Sequence, residues 1–244
     1  MLNQITTIRL RDGKEVALTD WEDTPLWSTI DIQDGATNEE MLFFQYVESD
    51  AVPAFSPFAI AGQRTATGRD TNIASAGEMA STEEMLVYAI RPEVFRRNLE
   101  VPDPPDFNAL AVLDSTNMMP QPTAKMIAVM QYFLLLELEI SQKFYHKAGF
   151  GYYNFGAGLH AVTADPALET MGMKGFPSQE AVRRFAIPQH IGGQEKYRVT
   201  LKNPTGEPVL LGLGDGGNGG NEEKTGAVAQ VRIYLDGLYK RPVS

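Results

Sequence analysis

The last third of the chain contains two long stretches in which apolar and polar residues alternate. Residues 182–199 and 228–243 follow this period of two, which places successive side chains on opposite faces of a β-strand. The sequence between them is rich in turn-forming residues and includes an eight-residue run at 214–221, GDGGNGGN, that fits no regular element. This pattern favours a β-sandwich with elaborate loops over a cofactor-binding α/β fold. Shape, more than chemistry, is then the expected basis of function.

Strand and turn signals recur along the rest of the chain. Residues 4–18 predict a β-hairpin, because Asp12 and Gly13 separate two alternating runs and suit the positive φ of a tight turn. Three further strands are predicted at residues 26–32, 41–47 and 85–90. Pro92 is expected to end the last of them. About nine to eleven strands are predicted in total, without a repeat of fixed period.

One helix interrupts the strands. Residues 124–131 are good helix formers, and Thr123 before them suits the N-cap position. Residues 132–144 then alternate strictly, with leucines on one face and Glu137 and Glu139 on the other. This segment is predicted to be one strand with one face in water.

The predicted fold is an all-β antiparallel sandwich with one short helix and an N-terminal hairpin extension. Residues 1–35 form the extension and residues 36–244 the sandwich. Residues 101–122 contain five prolines and form a proline-rich loop that four apolar residues pin to the body, namely Phe107, Leu110, Val112 and Leu113.

Charge and cysteine content exclude several classes of function. The net charge of −10 argues against a nucleic-acid-binding surface, because phosphate binding needs a positive field. The chain has no cysteine, so disulfides, thiolate zinc sites and a catalytic cysteine are excluded. The first ten residues have no apolar core of a signal peptide, and the apolar stretch at 126–138 is too short to span a bilayer.

The sequence contains no obvious catalytic or metal-binding pattern. His146, His160 and His190 are scattered, without the clustered His and Glu spacing of a metal site. Glu137 and Glu139 share one strand face, where a glycosidase places an acid/base pair and where a solvated surface also places carboxylates. No cofactor is expected.

The glycine-rich run at 214–221 allows two interpretations. The first is a structural calcium site. Oxygen ligands like those of glycine–aspartate calcium loops are offered by Asp215, Asn218, Asn221 and Glu222. A surface loop between the last two strands is the other. The run lacks the Lys-Ser/Thr ending of a phosphate-binding loop.

Several short motifs together resemble the jelly-roll major capsid proteins of tailless, often membrane-containing, bacterial viruses. The motifs are residues 69–73 (RDTNI), 76–77 (AG), 84–91 (EMLVYAIR), 184–188 (RFAIP), 197–204 (YRVTLKNP) and 231–243 (VRIYLDGLYKRPV). The resemblance covers residues 40–244 and implies a single jelly roll, with a compact double jelly roll as the alternative. It also implies a subunit whose flanks, rather than a pocket, are functional.

The resulting expectation is a virion structural protein without catalysis, a major capsid subunit that assembles into trimers or pseudo-hexameric capsomers of an icosahedral shell. Its partners would be copies of itself, other virion proteins and an internal membrane, but no specific nucleic acid. The chain would be made in the host cytoplasm and function in the capsid. The expected interface residues are Ile8, Arg9, Phe107, Leu110, Tyr239 and Arg241.

Two alternatives remain open from the residues alone. The first is a carbohydrate- or receptor-binding jelly-roll module, such as a spike or lectin-like domain, with four aromatic residues as stacking platforms: Trp21, Trp27, Tyr152 and Tyr153. The second is an enzyme on a β-sandwich that uses Glu137 and Glu139.

Overall fold

The structure, a computed structural model, describes residues 7–9, 13, 15–17, 21–33, 35–37, 39–54, 62–68, 70–97, 124–153, 159–162, 171–174, 182, 184–209 and 228–240. This part of the chain forms fifteen strands, one α-helix, α1 (Ala124–Phe133), and a 3-10 turn at Phe150–Tyr152. The strands are β1 (Thr7–Arg9), β2 (Glu15–Ala17), β3 (Trp21–Asp23), β4 (Leu26–Gln33), β5 (Glu40–Phe43), β6 (Ala51–Ala54), β7 (Gly62–Thr65), β8 (Glu84–Arg97), β9 (Leu135–Ile140), β10 (Lys143–Gly149), β11 (Leu159–Val162), β12 (Met171–Lys174), β13 (Arg184–Ile191), β14 (Tyr197–Lys202) and β15 (Val228–Lys240).

Two antiparallel sheets form the body of the protein. In the first sheet the order is β13, β8, β15, with β3 and β4 following one another along the second edge of β15. In the second sheet the order is β10, β9, β14, β5. Buried side chains of both sheets belong to one hydrophobic cluster. The mostly-β fold with a sandwich-like arrangement of antiparallel sheets is therefore confirmed, and its strands outnumber the about nine to eleven expected from turn signals.

Strand β15 is the centre of the first sheet. It pairs with β8 along its whole length and with β4 and β3 on its other edge. Its alternating sequence buries Val231, Ile233 and Leu235 completely and turns Arg232 and Tyr234 to the outer face, where they are half-buried. A strand with both edges paired can satisfy its backbone donors and acceptors without water, so it is suited to the interior of a sheet.

The second sheet buries its leucine-rich face against the first. Leu136, Leu138 and Ile140 of β9 point into the core, opposite Val199 and Leu201 of β14. None of these five is more than 1% exposed. Full burial of an aliphatic side chain of this size contributes about 1.5–3 kcal/mol, so this face is a main source of stability.

One buried hydrogen bond joins the two sheets. The backbone N–H of Phe44, directly after β5, donates to the hydroxyl of Ser28 in β4 at 2.8 Å. Both residues are buried, and Phe44 has a φ of +62° at the point where β5 ends. A buried N–H without a partner costs about 1–3 kcal/mol. The Ser28 hydroxyl satisfies the N–H of Phe44, so β5 can end within the core without this cost.

The predicted hairpin and helix are confirmed. Strands β1 and β2 pair antiparallel, with Gly13 between them at a φ of +85°. Helix α1 begins at Ala124 as expected and runs to Phe133 rather than to residue 131. The domain boundary at residue 35 stays a prediction, although β3 and β4, which precede it, are part of the first sheet.

Pro92 does not end a strand, contrary to the prediction. Strand β8 continues through it to Arg97, and Pro92 lies opposite Ile233 of β15. Among the described residues, β13 pairs with β8 only as far as Ala89. Pro92 thus lies where β8 has one described neighbour, and a proline is tolerated at such an edge because its missing N–H removes no second ladder bond.

Residues 132–144 are not one strand either. The end of α1, strand β9 and the start of β10 share this segment, and Ser141 and Gln142 form a two-residue turn with φ values of +48° and +67°. Glycine, asparagine and aspartate are the usual residues of such a turn. The sequence carries none of them here, so the hairpin had no local signal.

A bulge in β8 shapes one end of the first sheet. Strand β15 places Asp236 opposite Ala89 and Gly237 opposite Val87, so Tyr88 has no partner in the register. Backbone of β8 comes close to Gly237 at this point: a Cβ atom on Gly237 would collide with the carbonyl oxygen of Leu86 and lie 2.9 Å from its carbon. The bulge therefore requires glycine at this position.

We expect Gly237→Ala to lower the free energy of unfolding by about 2–4 kcal/mol, because the added methyl group must displace backbone rather than a flexible side chain. The matched control is Gly149→Ala in β10, where a Cβ meets nothing within 4 Å. Urea unfolding followed by circular dichroism measures both. Equal stability of the two variants would contradict the close approach at the bulge.

Candidate functional site

The predicted interface residues lie in different environments. Ile8 and Arg9 lie in β1 of the N-terminal hairpin, where Arg9 is exposed. Tyr239 belongs to the core and is only 4% exposed, so its ring is not available to a neighbour in this conformation. Phe107, Leu110 and Arg241, like the glycine-rich run at 214–221, lie outside the described residues. Their interface and calcium-binding roles stay predictions.

Three hairpins form two-stranded sheets of their own. They pair β1 with β2, β6 with β7, and β11 with β12. Within the described part of the chain, none of these strands is hydrogen-bonded into either large sheet. Short strand pairs of this kind need further contacts to be stable, because an isolated hairpin is marginal in water.

The two carboxylates singled out by the sequence are paired with cations on the outer face of the second sheet. Glu137 lies 2.6 Å from the Nζ atom of Lys147 on β10 and 3.1 Å from that of Lys202 on β14, and its side chain is 2% exposed. Glu139 lies 2.7 Å from the Nη2 atom of Arg198. The strand register aligns Lys147 with Glu137 and Arg198 with Glu139. These cross-strand pairs stabilise the sheet; a catalytic role for the two carboxylates stays an untested hypothesis.

Two carboxyl groups have lowered pKa values in this structure. Burial alone would raise the pKa of Glu137, but hydrogen bonds from Lys147 and Lys202 hold it below its ordinary value of 4.5. The pKa of Glu84 is likewise lowered against the effect of burial, by His190 and Lys240. Both groups therefore remain ionised at neutral pH.

The outer face of the first sheet carries a network centred on Tyr234. Its ring lies under the guanidinium of Arg91, with 4.0 Å from Cζ to the ring centroid, and its hydroxyl donates to Glu93 at 3.0 Å. Arg91 also binds Asp236 through two hydrogen bonds of 2.9 and 3.1 Å. Bidentate pairs of this kind fix side-chain orientation as well as charge, so this face is rigid and polar.

The four proposed stacking platforms do not form one surface. Trp21 and Trp27 lie on the outer face of the first sheet and are half-buried, with Trp27 packed at 6.4 Å from Tyr234. Tyr152 and Tyr153 follow β10 at the edge of the second sheet, where Tyr152 is 41% exposed and Tyr153 is buried. A carbohydrate-binding platform could therefore include the two tryptophans or the two tyrosines, but not all four residues.

A small aromatic pocket opens between the edge strands of the two sheets. Its volume is about 220 Å³, and it is lined by His146, Tyr152, Tyr153, Arg184, Phe185 and Ala186. The His146 ring lies 5.2 Å from Phe185 and 5.4 Å from Tyr153, centroid to centroid. Strand β10 and the 3-10 turn supply one wall and the start of β13 the other. The contact is between segments far apart in sequence, so nothing in the local sequence patterns indicated it.

A larger cleft of about 440 Å³ lies at one end of the second sheet. Its lining is polar and carries two acidic and two basic side chains: Glu78, Glu139, Lys196 and Arg198. Gln45 and Gln142 complete the polar lining. Opposite charges balance within the cleft, so its walls provide no net attraction for an ion.

The three histidines are not brought together. His190 lies in β13 and contacts Glu84 at 3.0 Å, whereas His146 lies in the aromatic pocket and the side chain of His160 is outside the described part. Among the described residues no group of three His, Asp or Glu side chains is placed to hold a metal ion. Within the same residues, no helix has the length and apolar character needed to cross a membrane.

Comparison with known proteins identifies no relative: no protein-family model, curated protein or solved structure matches this chain significantly.

We expect Glu137→Gln to lower the free energy of unfolding by about 1–3 kcal/mol at neutral pH, because Lys147 and Lys202 lose a charged hydrogen-bond partner. The pKa of Glu137 is lower in the folded state than the ordinary 4.5, so its contribution is present above that pH and disappears as the pH falls through the folded-state pKa. The difference in unfolding free energy between Glu137→Gln and the wild type should therefore shrink as the pH falls.

Chemical denaturation from pH 7 down to pH 3 tests this pH dependence. Glu48→Gln, which changes an exposed carboxylate, is the control and should have little effect at any pH. A Glu137→Gln penalty that is the same at both ends of the range would show that charge plays no part in it.

Proposed function

We propose that this chain is a single jelly-roll structural subunit of a viral capsid, and that it assembles with copies of itself into capsomers. The order of the strands in the two large sheets supports the fold in this proposal, and exposed apolar side chains on one flank support the assembly. The motif resemblance of residues 40–244 to capsid proteins of tailless bacterial viruses points in the same direction.

The order of the strands supports a jelly roll. With β3 and β4 counted as one interrupted strand, the two sheets contain eight strands, which in chain order are β3/β4, β5, β8, β9, β10, β13, β14 and β15. The first sheet then has the order one, eight, three, six, and the second has two, seven, four, five. Strand one pairs with eight, two with seven, three with six and four with five.

A long antiparallel hairpin wound into two facing sheets, as in a jelly roll, would have pairings of this kind, so they support the proposed fold. The same eight strands account for one jelly roll and leave the three hairpins as additions. This supports the single rather than the double jelly roll.

Fold alone does not select a function, because jelly rolls also serve as lectins and as metal-binding enzymes. The features that favour assembly lie on the flank formed by the edge strands β10 and β13. Phe144 of β10 is 55% exposed and Ile187 of β13 is 52% exposed, and Tyr152 follows β10. Exposed apolar side chains grouped near sheet edges are typical of protein–protein contacts.

The hairpins provide a second means of contact. Among the described residues, β1 and β2 pair only with each other and not with a strand of either large sheet, and Arg9 is exposed. Segments of this kind can add a strand to the sheet edge of a neighbouring subunit or lie across its flank. In the proposed virion this hairpin would bind a neighbouring copy, and other virion proteins or an internal membrane would meet the remaining surfaces.

We expect the purified protein to form trimers, hexamers or shells as its concentration rises. We also expect Phe144→Ser and Ile187→Ser to raise the concentration needed for assembly at least about tenfold, because each removes apolar contact area from the flank. Both side chains are more than half exposed, so the fold of the monomer should be kept. Mass photometry with negative-stain imaging measures the assembled fraction.

Leu42→Ser is the matched control, because Leu42 is exposed on β5, the opposite edge strand of the second sheet. An equal effect of this control would argue against the β10–β13 flank as the main contact. A protein that stays monomeric at every concentration up to its solubility limit would overturn the capsid proposal.

A further inference from the structure

The two large sheets end in edge strands of opposite charge. On one side of the sandwich, β10 of the second sheet and β13 of the first lie next to each other, with the His146 ring 5.2 Å from that of Phe185. These two strands contain Lys143, Lys147 and Arg184 but no aspartate or glutamate. We call this side the basic flank. Its charge is opposite in sign to the net charge of −10 of the whole chain.

The other side of the sandwich is acidic. There the edge strands are β3 and β4 of the first sheet and β5 of the second, joined by the hydrogen bond from Phe44 to Ser28. These three strands contain no lysine or arginine. Their exposed carboxylates are Glu22 and Asp23 in β3 and Glu40 in β5. We call this side the acidic flank.

The strand registers place the opposite charges at similar positions along the strand direction, because residues paired across neighbouring strands form rows. In the second sheet the row that begins at Lys147 ends at Leu42, two residues from Glu40. In the first sheet the row that begins at Arg184 crosses β15 two residues before the partner of Asp23. Two residues of a strand span about 7 Å, a distance that a lysine or arginine side chain can bridge. Each sheet therefore has a basic group and a carboxylate at nearly the same level on its opposite edges.

We propose that the basic flank of one subunit binds the acidic flank of a second copy, head to tail, an arrangement that rests on the proposed self-assembly. A contact between two different surfaces repeats from copy to copy, and it closes into a ring when the rotation between neighbours allows it. Phe144 and Ile187 supply apolar area, and the charges select the partner surface. Because the acidic flank contributes mainly charge, Leu42, which is only 36% exposed, should contribute less than either of them.

The main alternative is a contact of the basic flank with itself, and its charges oppose it. Two-fold pairing would bring Lys143, Lys147 and Arg184 close to their own copies, where like charges repel. The acidic flank would meet the same difficulty in a contact with itself. Contact between the two unlike flanks replaces both repulsions with attraction.

Two charge-reversed variants and their combination test the pairing of the flanks. The first variant, Lys143→Glu with Arg184→Glu, reverses the basic flank. The second variant, Glu22→Lys with Asp23→Lys, reverses the acidic flank. All four side chains are exposed, so each variant should keep the fold of the monomer.

Each of these variants should need at least about tenfold more protein than the wild type to assemble, because its two flanks then carry the same sign. The combined variant, with all four changes, again has flanks of opposite sign and should recover most of the lost assembly. Lys147 and Glu40 stay unchanged because they form ion pairs within the chain, with Glu137 and Lys202 respectively. Mass photometry across a concentration series measures the assembled fraction of each variant.

A single reversal outside both flanks is the matched control. Glu48→Lys changes an exposed carboxylate in the turn before β6 and should leave assembly unchanged, whereas Asp23→Lys alone should weaken it. The difference between Asp23→Lys and the wild type should narrow as salt concentration rises, because exposed charges are screened.

Three results would overturn the head-to-tail contact while a wild type that assembles leaves the capsid proposal standing. The first is assembly of both reversed variants at the concentration of the wild type. The second is a loss of assembly in the basic-flank variant alone, which would show that this flank packs against another surface. The third is a combined variant that assembles no better than the two variants from which it is built. A wild type that stays monomeric would overturn the capsid proposal itself and the head-to-tail contact with it.

Discussion

Strand β15 is paired on both of its edges, and its register fixes the two faces of the first sheet. This strand binds β8 along its full length and β4 and β3 on the other side, so the first and last strands of the sandwich lie side by side. Its register sets which residues enter the core: Ile233 faces inward with Ser28 beside it, and Ser28 in turn accepts the Phe44 N–H that joins the second sheet. A shift by one residue would exchange both faces of the sheet.

The bulge at Tyr88 connects this framework to the aromatic pocket. Neither neighbour of β8 pairs with Tyr88: β15 passes it next to Gly237, and four residues of β13, 185–188, stand against it. The first contact explains why Gly237 has no side chain, and the second explains how Phe185 reaches the aromatic cluster around His146. One irregularity thus sets both the requirement for glycine at position 237 and the shape of the aromatic pocket, because a bulge places side chains that a regular ladder would not.

The polar faces of the sheets have a structural function that is visible without reference to catalysis. On the second sheet, Glu137 and Glu139 pair with Lys147, Lys202 and Arg198, and on the first, Arg91 bridges Asp236 and stacks on Tyr234. Such pairs hold neighbouring strands in register. The exposed apolar residues on the edge strands, such as Phe144 and Ile187, are in contrast not explained by the fold of a single chain.

Elements with a local signal could be predicted from the amino-acid sequence. Alternation predicted β15, and β-forming residues predicted β4. Asp12-Gly13 predicted the first hairpin, and helix-forming residues after Thr123 predicted α1, because each depends on neighbours within a few positions. Three other features depend on tertiary contacts: Pro92 lies where β8 has one described neighbour, Ser141 and Gln142 turn without glycine, and Arg184 and Tyr153 line the same pocket. These outcomes depend on which strands become neighbours, and strand pairing between distant segments leaves no periodic trace in the sequence.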